Sequence, residues 1–281
     1  MQIGPRLFEG PGPFLMGVVN VTPDSFSDGG RFAEADAAVE HALRLEQEGA
    51  DLVDVGGEST RPGAPPVAAA EELRRVIPVI ERLRARGFAV PISVDTSKPE
   101  VARAALDAGA DLVNDVQGLA SPELAELVAA RGGPAVLMHM RGTPADMASR
   151  AVYGDVVEEV AAELEQALAR AERAGVRRER VVLDPGIGFA KTAEQSLALL
   201  AGLGRLRRLG CPLLVGPSRK SFIGKLTGAE VADRLPGTLA AVAACVLAGV
   251  ELVRVHDVAA ARQAARVAAA IREAARASPA P

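Results

Sequence analysis

The sequence predicts an α/β fold and, within that class, a closed (β/α)8 (TIM) barrel formed by a single domain. Eight short runs rich in Val, Ile and Leu alternate with longer amphipathic segments along 281 residues. Continuous apolar runs are typical of parallel strands buried on both faces, because a half-exposed strand would alternate apolar and polar residues. Eight strand–helix repeats in roughly 250 residues match the usual size of such a barrel.

The predicted strands are the apolar runs that begin at Phe14, Asp51, Val90, Asp111, Pro134, Arg180, Pro212 and Glu251. Amphipathic helices are predicted between them, among others over 33–48, 71–86, 153–174 and 193–209. Several of these segments end at glycine, the usual left-handed cap. A last helix extends to about Ala277 before a frayed SPAP tail. The domain is expected to span 1–281, with its core at about 13–276.

The competing arrangement is an open doubly wound sheet. That fold usually has fewer strands, and the GxGxxG turn found in many of its members is absent from this sequence. The longest apolar run, 239–250, is too short to cross a bilayer and is predicted to be a buried helix.

Composition and charge restrict the classes of function. A hydrophobic fraction of 49% and a charged fraction of 24% are ordinary for a globular protein. A net charge of −4 provides no basic field for nucleic acid or for an anionic membrane, and an aromatic fraction of 3% provides no stacking surface. Cys211 and Cys245 have no metal or redox spacing and no apolar signal segment opens the chain, which favours a reducing cytoplasm.

Polar residues close nearly every predicted strand. They are Asn20, Asp54, Asp95, Asn114, Asp115, His139, Asp184, Ser218, Arg254 and His256. In a barrel the carboxyl ends of the strands meet at one face, where active sites are built. Polar groups there cost desolvation unless they have partners, so we expect a polar ligand at this face.

Two loops rich in glycine and hydroxyl groups follow the first two strands. Loop 1 (residues 20–30, NVTPDSFSDGG) is either a surface loop or a mobile lid carrying Asp24, Phe26 and Asp28 over the barrel mouth. Loop 2 (residues 56–63, GGESTRPG) combines close backbone approach with hydroxyls and the guanidinium of Arg61. Together they suggest a phosphate cradle without the lysine of a P-loop.

Three strand ends carry groups suited to a flat heterocycle, namely Asp95, Asp184 and one of the pair Asn114 and Asp115. Because side chains alternate along a strand, one of that pair faces the barrel interior and the other the helical layer. Nearby, the SKPE pattern that begins at Ser97 predicts a capping box for the third helix.

The last two strand ends carry cations. Lys220 opens a helix, whose N-terminus favours anions, whereas the neighbouring Arg219 is expected to form a surface ion pair. Arg254 and His256 share a side-chain direction and suit a diphosphate, as a guanidinium and a protonatable imidazole.

Other chemistries lack support in the sequence. His41 is expected to face solvent, and His139 is either a ligand or a support for one. The three histidines have no zinc spacing, and neither a GxSxG elbow nor a Cys–His pairing supports a covalent nucleophile.

Seven motifs in order cover nearly the whole chain: NVTPDSFSDGG, DVGGESTRPG, SVDTSKPEV, LMHMRGTP, LDPGIGF, GPSRKS and RVHDV. In these motifs the chain resembles the dihydropteroate synthase family. One departure is Ala190, where the family usually has glycine; the added methyl should affect fit more than chemistry.

The resemblance implies a transferase of folate biosynthesis that uses Mg²⁺. It would join (7,8-dihydropterin-6-yl)methyl diphosphate to 4-aminobenzoate, giving 7,8-dihydropteroate and diphosphate. The implied pterin contacts are Asp95, Asn114, Asp184 and Lys220, with Met138, Phe189 and Arg254 against the ring. The implied diphosphate contacts are Asn20, Thr60, Arg254 and His256, with Asn20 also on Mg²⁺. Loop 1 and loop 2, the latter through Arg61 and Pro62, would close over the site, with Ser221 and Lys220 beside the aminobenzoate.

Two other functions remain open. A pterin-binding methyltransferase shares acidic and amide pterin contacts but needs no diphosphate cradle, and a silent paralogue would bind pterin alone. The family also implies a homodimer and competition by sulfonamides.

Overall fold

The computed structural model describes residues 1–10, 12–22 and 30–277, and only the backbone of 30–33. Ten strands occur in this part of the chain. Their bounds are β1 Gln2–Ile3, β2 Arg6–Leu7, β3 Phe14–Asn20, β4 Leu52–Gly56, β5 Ile92–Asp95, β6 Leu112–Asp115, β7 Ala135–Met138, β8 Val181–Asp184, β9 Leu214–Val215 and β10 Leu252–Val255.

Strands β3 to β10 form the predicted barrel. They are all parallel and hydrogen-bond in the order β8-β7-β6-β5-β4-β3-β10-β9. A parallel bridge between Leu183 and Leu213 joins the ends of this order and closes the cylinder. Each of these eight strands lies where an apolar run predicts it. The runs are continuous because a strand that is buried on both faces needs no alternation of apolar and polar residues.

Ten α-helices surround these strands in the described part of the chain. Their bounds are α1 Gly30–Gln47, α2 Ala69–Ala85, α3 Pro99–Asp107, α4 Pro122–Arg131, α5 Val156–Arg173, α6 Ala193–Ala201, α7 Leu203–Leu206, α8 Ser221–Thr227, α9 Leu235–Leu247 and α10 Val258–Ala277. The single helix predicted over 193–209 is interrupted at Gly202. A Cβ there would lie 2.7 Å from Val157 Cγ2, so the absence of a side chain at Gly202 permits close packing against α5.

The N-terminal hairpin β1–β2 has no counterpart in the sequence prediction. Ile3 and Phe8 pack with the inward residues of the barrel strands, including Met16, Leu52 and Leu112. The hairpin region therefore covers the N-terminal end of the barrel, which directs attention to the opposite end as the place for a ligand.

Two local predictions are wrong. Helix α3 begins at Pro99 with Lys98 as its N-cap and no side-chain cap, because Ser97 donates its hydroxyl hydrogen bond to the buried carboxylate of Asp115. His41 is half-buried and its Nε2 lies 3.1 Å from the Val18 carbonyl oxygen, because α1 packs this face against the barrel.

The apolar run near the C-terminus forms α9, which is buried along one side. None of the helices within the described ranges is long and apolar enough to cross a membrane.

Candidate active site at the C-terminal face of the barrel

Arg254 lies at the centre of the barrel mouth and joins two neighbouring strands. Its Nε donates to Asp54 Oδ2 at 2.7 Å, and its Nη2 donates to Asp95 Oδ2 at 3.1 Å. The Asp54 side chain is fully buried and that of Asp95 is 10% exposed. One guanidinium therefore compensates two carboxyl groups that would be costly to bury alone.

Asp54 also connects this ion pair to β6. Asn114 Nδ2 donates to Asp54 Oδ2 at 3.0 Å, whereas the other oxygen, Oδ1, is buried and accepts no hydrogen bond from the described residues. Asp115 points elsewhere and accepts from the Gln117 and Leu119 amides. The prediction that Asn114 and Asp115 point in opposite directions, one into the barrel and the other towards the helical layer, is thus confirmed.

Burial controls the charge of Asp95. Desolvation, followed by the nearby Asp54 carboxylate, raises the pKa of Asp95 to about 8, although Arg254 acts in the opposite direction. Without a ligand this carboxyl group therefore takes up a proton more readily than an exposed aspartate does. Donors of a bound ring would favour its ionised form.

Asp184 and Lys220 influence each other electrostatically, and both are affected by the charge of Arg254. Desolvation raises the pKa of Asp184 to about 6, opposed by the Gly186 amide, which donates to its Oδ1 at 2.7 Å, and by Lys220. Desolvation lowers the pKa of Lys220 to about 8, opposed by Asp184. Lys220 Nζ also lies 3.9 Å from the centroid of the Phe189 ring, so the cation covers an aromatic face.

The loop that carries Phe189 is held in an unusual backbone conformation. Ala190 has φ +48°, the left-handed region that favours glycine, which explains why a methyl group is a notable departure there. Gly186 has φ +66°, and a Cβ on it would lie 2.1 Å from the His139 carbonyl oxygen. The loop therefore runs directly against the end of β7, next to the buried Met138.

His256 reaches the same face from the end of β10. Its Nδ1 lies 2.9 Å from Ser218 Oγ, and burial together with the charges of Arg254 and Arg219 lowers its pKa to about 4. The imidazole is therefore neutral at neutral pH without a ligand. Arg219 pairs with Asp257 at 2.6 Å, which confirms the predicted surface ion pair.

Loop 2 is anchored from behind. Lys98 bridges Glu58 to the buried Glu72, and Arg75 Nη1 donates to the Gly57 carbonyl oxygen at 2.8 Å. At the front of the loop Thr60 is half-buried, whereas Arg61 and Pro62 are exposed. These three residues therefore remain available to a ligand above the barrel mouth.

The other predicted site residues lie at the rim or outside the described residues. Asn20 ends β3 half-buried, directly beside Gly56 of loop 2 in strand register, and Ser221 is exposed at the first turn of α8. Asp24, Phe26 and Asp28 of loop 1 lie outside the described residues.

Two groups next to the site have contacts that no sequence pattern indicates. Asp54 is one polar strand end among many in the sequence, although it is the main partner of Arg254. Lys191 is not among the predicted site residues, yet it is buried against His139 and burial lowers its pKa to about 7. Both depend on contacts between distant strands, which a linear pattern does not show.

The described residues contain no group of three His, Cys, Asp or Glu side chains that could hold a metal. Within this part of the chain, a Mg²⁺ ion would therefore be held by fewer than three such side chains, together with the ligand. The carboxamide oxygen of Asn20 fits this arrangement, because Mg²⁺ is usually held by one or two protein oxygens together with substrate phosphates.

The fold and the site define a barrel enzyme whose C-terminal face presents carboxyl groups, an amide and cations suited to a polar ring and an anion. The chain matches the family model described as "Pterin binding enzyme" over residues 16–256. It is 47% identical over 274 residues to a dihydropteroate synthase from Synechocystis, covering 96% of this chain and 94% of the relative. It is also 47% identical over 255 residues to that of Escherichia coli, covering 91% and 90%.

Solved structures of dihydropteroate synthases are also similar to this chain. A Xanthomonas albilineans dihydropteroate synthase with 4-aminobenzoic acid superposes with a TM-score of 0.87 at 52% identity, covering 95% of this chain and 94% of that one. The same enzyme in complex with 7,8-dihydropteroate gives 0.84 at 49%, covering 95% of both chains. The Yersinia pestis enzyme in a sulfonamide complex gives 0.91 at 41%, covering 97% and 99%.

The chain therefore belongs to the pterin-binding enzymes and, within them, to the dihydropteroate synthase family. It is an alkyl/aryl transferase of folate biosynthesis.

Proposed function

We propose that the chain forms 7,8-dihydropteroate by a dissociative route at the mouth of its barrel. The C–O bond of (7,8-dihydropterin-6-yl)methyl diphosphate breaks first, and its electron pair leaves with the diphosphate. The nitrogen of 4-aminobenzoate then captures the pterin-methyl cation, forming the C–N bond and releasing a proton to solvent. The arylamine is the nucleophile, so the protein has to supply only binding and charge.

The observation that carries this proposal is the position of Arg254 between Asp54 and Asp95. This arrangement places a fixed cation, 23% exposed, beside two carboxyl groups whose side chains are 0% and 10% exposed. Asp95, Asn114 and Asp184 offer donors and acceptors to the edge of the pterin ring. Asp95 and Asp184 also favour positive charge on the ring once they are ionised.

The departing diphosphate requires a set of positive and neutral donors. Arg254, Lys220 and His256 approach it from the last two strand ends, and Thr60 and Arg61 from loop 2. Asn20 would hold Mg²⁺ together with diphosphate oxygens, and the ion would supply further neutralisation of charge on the leaving group. The neutral His256 either donates as it stands or gains a proton as the diphosphate arrives.

The acceptor is expected to lie beside Lys220 and Ser221. Lys220 covers one face of the Phe189 ring, which borders the pterin, and Ser221 is exposed at the first turn of α8. Met138 packs near the pterin. Loop 1, with Asp24, Phe26 and Asp28, would cover this region, and we expect sulfonamides to compete there with 4-aminobenzoate.

Product formation tests the proposal. Wild type and Asp95→Asn are incubated with both substrates, with and without Mg²⁺, and dihydropteroate is measured by mass spectrometry. We expect product from wild type and a 10²–10³-fold lower rate from the variant, because one charge-stabilising contact is lost. Tight pterin binding without product would instead support a silent paralogue or a methyltransferase.

We also propose a cytoplasmic homodimer. Cys211 and Cys245 are buried free thiols, which suits a reducing compartment. Exposed apolar side chains occur on α8 to α10 and the segment between α8 and α9, at Leu226, Val231, Leu247, Val267 and Ile271. Light scattering should give twice the chain mass of 29.0 kDa, and a mass of 29.0 kDa would contradict the dimer.

A further inference from the structure

A chain of hydrogen-bonded polar groups that the proposed reaction does not use lies directly behind the proposed pterin-binding side of the mouth. We call it the Lys191 cluster: Lys191, His139, Glu163 and Arg141. Lys191 is 9% exposed, and its Nζ donates to the Phe189 carbonyl oxygen at 2.9 Å. The same nitrogen lies 2.9 Å from His139 Nδ1 and 3.4 Å from the His139 carbonyl oxygen.

The charge of Glu163 determines which groups of this cluster donate and which accept. His139 Nε2 lies 2.8 Å from Glu163 Oε2, and an ionised carboxylate can only accept, so this nitrogen carries the hydrogen. The hydrogen bond to His139 lowers the pKa of Glu163 to about 2, which keeps the carboxylate charged. His139 Nδ1 is then the free acceptor that faces Lys191, while Arg141 holds the other side of Glu163 through its Nε at 3.0 Å.

Lys191 thus ties together two segments that each carry an apolar wall of the proposed pterin site. His139 directly follows Met138 at the end of β7, and Phe189 lies two residues before Lys191 in the loop after β8. A Cβ on Gly186 would lie 2.1 Å from the His139 carbonyl oxygen, so the two segments already touch. A small change in this contact would move the Met138 and Phe189 walls relative to each other.

We propose that Lys191 is a positioning residue that sets the width of the slot in which Met138 and Phe189 hold the pterin ring. It acts through the Phe189 and His139 carbonyl oxygens and does not itself touch substrate. The inference rests on the proposed function, because it assigns the slot to the pterin.

Lys191→Met tests this role, since it keeps the length of the side chain and removes its donors. The dissociation constant and stoichiometry for the pterin diphosphate are measured by calorimetry without 4-aminobenzoate, and KM and kcat are measured separately. We expect KM and the dissociation constant to rise about tenfold, or 1.4 kcal/mol, with one site per chain and kcat within threefold. Lys225→Met, at an exposed position on α8, is the matched control and should leave both constants unchanged.

A merely structural role gives a different pattern. The fraction of binding-competent protein and kcat would then fall while the dissociation constant stayed within twofold, and that result overturns the inference. If Lys191→Met does not fold, Glu163→Gln replaces it, because it weakens the hold on His139 while keeping side-chain volume. A KM within twofold of wild type in that folded variant also overturns the inference.

The proposed function fails separately. If wild type binds the pterin diphosphate but makes no dihydropteroate, the synthase reaction is wrong. The calorimetric shift in Lys191→Met still decides whether Lys191 positions the slot.

Discussion

Replacing Arg254 by methionine should damage both folding stability and catalysis, for one reason. The change removes the partner of Asp54, whose side chain is fully buried, and of Asp95, whose side chain is 10% exposed. Breaking a buried ion pair from one side costs about 3–5 kcal/mol, because the remaining charge is uncompensated. The lost stabilisation of the leaving diphosphate should lower turnover a further ~10²–10³-fold in the protein that remains folded.

The stability loss should depend on pH with a definite sign. Arg254 opposes the increase in the pKa of Asp95, so its removal raises the folded-state pKa of this carboxyl group further above the value in the unfolded chain. The stability of the folded variant then falls as pH rises through that folded-state pKa. The difference between variant and wild type should therefore be larger at pH 8 than at pH 5.

Urea denaturation followed by circular dichroism at both pH values measures the first effect. Dihydropteroate formation at saturating substrate, corrected for the folded fraction, measures the second. Arg205→Met is the matched control, because Arg205 pairs with Glu158 at the surface and such pairs contribute about 0–1 kcal/mol. A loss below 1 kcal/mol at pH 8, with turnover within tenfold of wild type, would refute the assigned role of Arg254.

Three further predictions concern the loop after β8, the pH response and the metal. Gly186→Ala should lower the free energy of unfolding, measured in urea, by about 2–5 kcal/mol, because it combines a left-handed φ with a backbone clash. Gly210→Ala has a left-handed φ but open space around it, and it should cost only about 1–2 kcal/mol. Equal losses in the two variants would contradict the clash. The pKa of His256 is lowered to about 4 in the folded protein, so the neutral imidazole's contribution to stability is lost as pH falls from 6.5 towards 4. Between pH 7 and pH 5 the free energy of unfolding of wild type should therefore fall by about 1–2 kcal/mol more than that of His256→Gln. Parallel plots of unfolding free energy against pH would contradict this. EDTA should abolish product formation and added Mg²⁺ restore it, while calorimetric binding of a pterin without diphosphate stays unchanged; full activity in EDTA would remove the metal from the reaction.

The barrel could be predicted from the sequence because its signals are local. Each strand is a continuous apolar run, and glycine ends several helices, so the order of elements follows from short windows of residues. The break at Gly202 was not predictable in this way, since it depends on how closely that residue approaches Val157 of α5.

The site was predictable as far as strand ends go. Asp95, Asn114, Asp184 and Arg254 all lie at the rim where parallel strands place them, and the alternation of Asn114 and Asp115 separated their roles. Which of these groups bind one another was not encoded in any local pattern. The pairing of Arg254 with Asp54 joins residues 200 positions apart.

The wrong prediction at Ser97 has the same origin. A Ser followed three residues later by Glu satisfies the capping pattern, but Pro99 suits the first helical position equally well. The buried Asp115 carboxylate then takes the Ser97 hydroxyl, and a buried acceptor gains more from that donor than an exposed helix end does. A tertiary hydrogen bond therefore forms in place of the local helix cap.

The central claim is that the C–O bond to diphosphate breaks before the C–N bond forms. Positional isotope exchange tests it most directly. The pterin diphosphate carries ¹⁸O in the oxygen that bridges the methylene carbon and phosphorus, and an unreactive benzoate replaces 4-aminobenzoate. Reversible cleavage lets the diphosphate rotate, so the label should move into non-bridging positions of recovered substrate with wild type and much more slowly with Arg254→Met. A label that stays in the bridge, under conditions where the same enzyme preparation makes dihydropteroate from 4-aminobenzoate, would contradict the dissociative account.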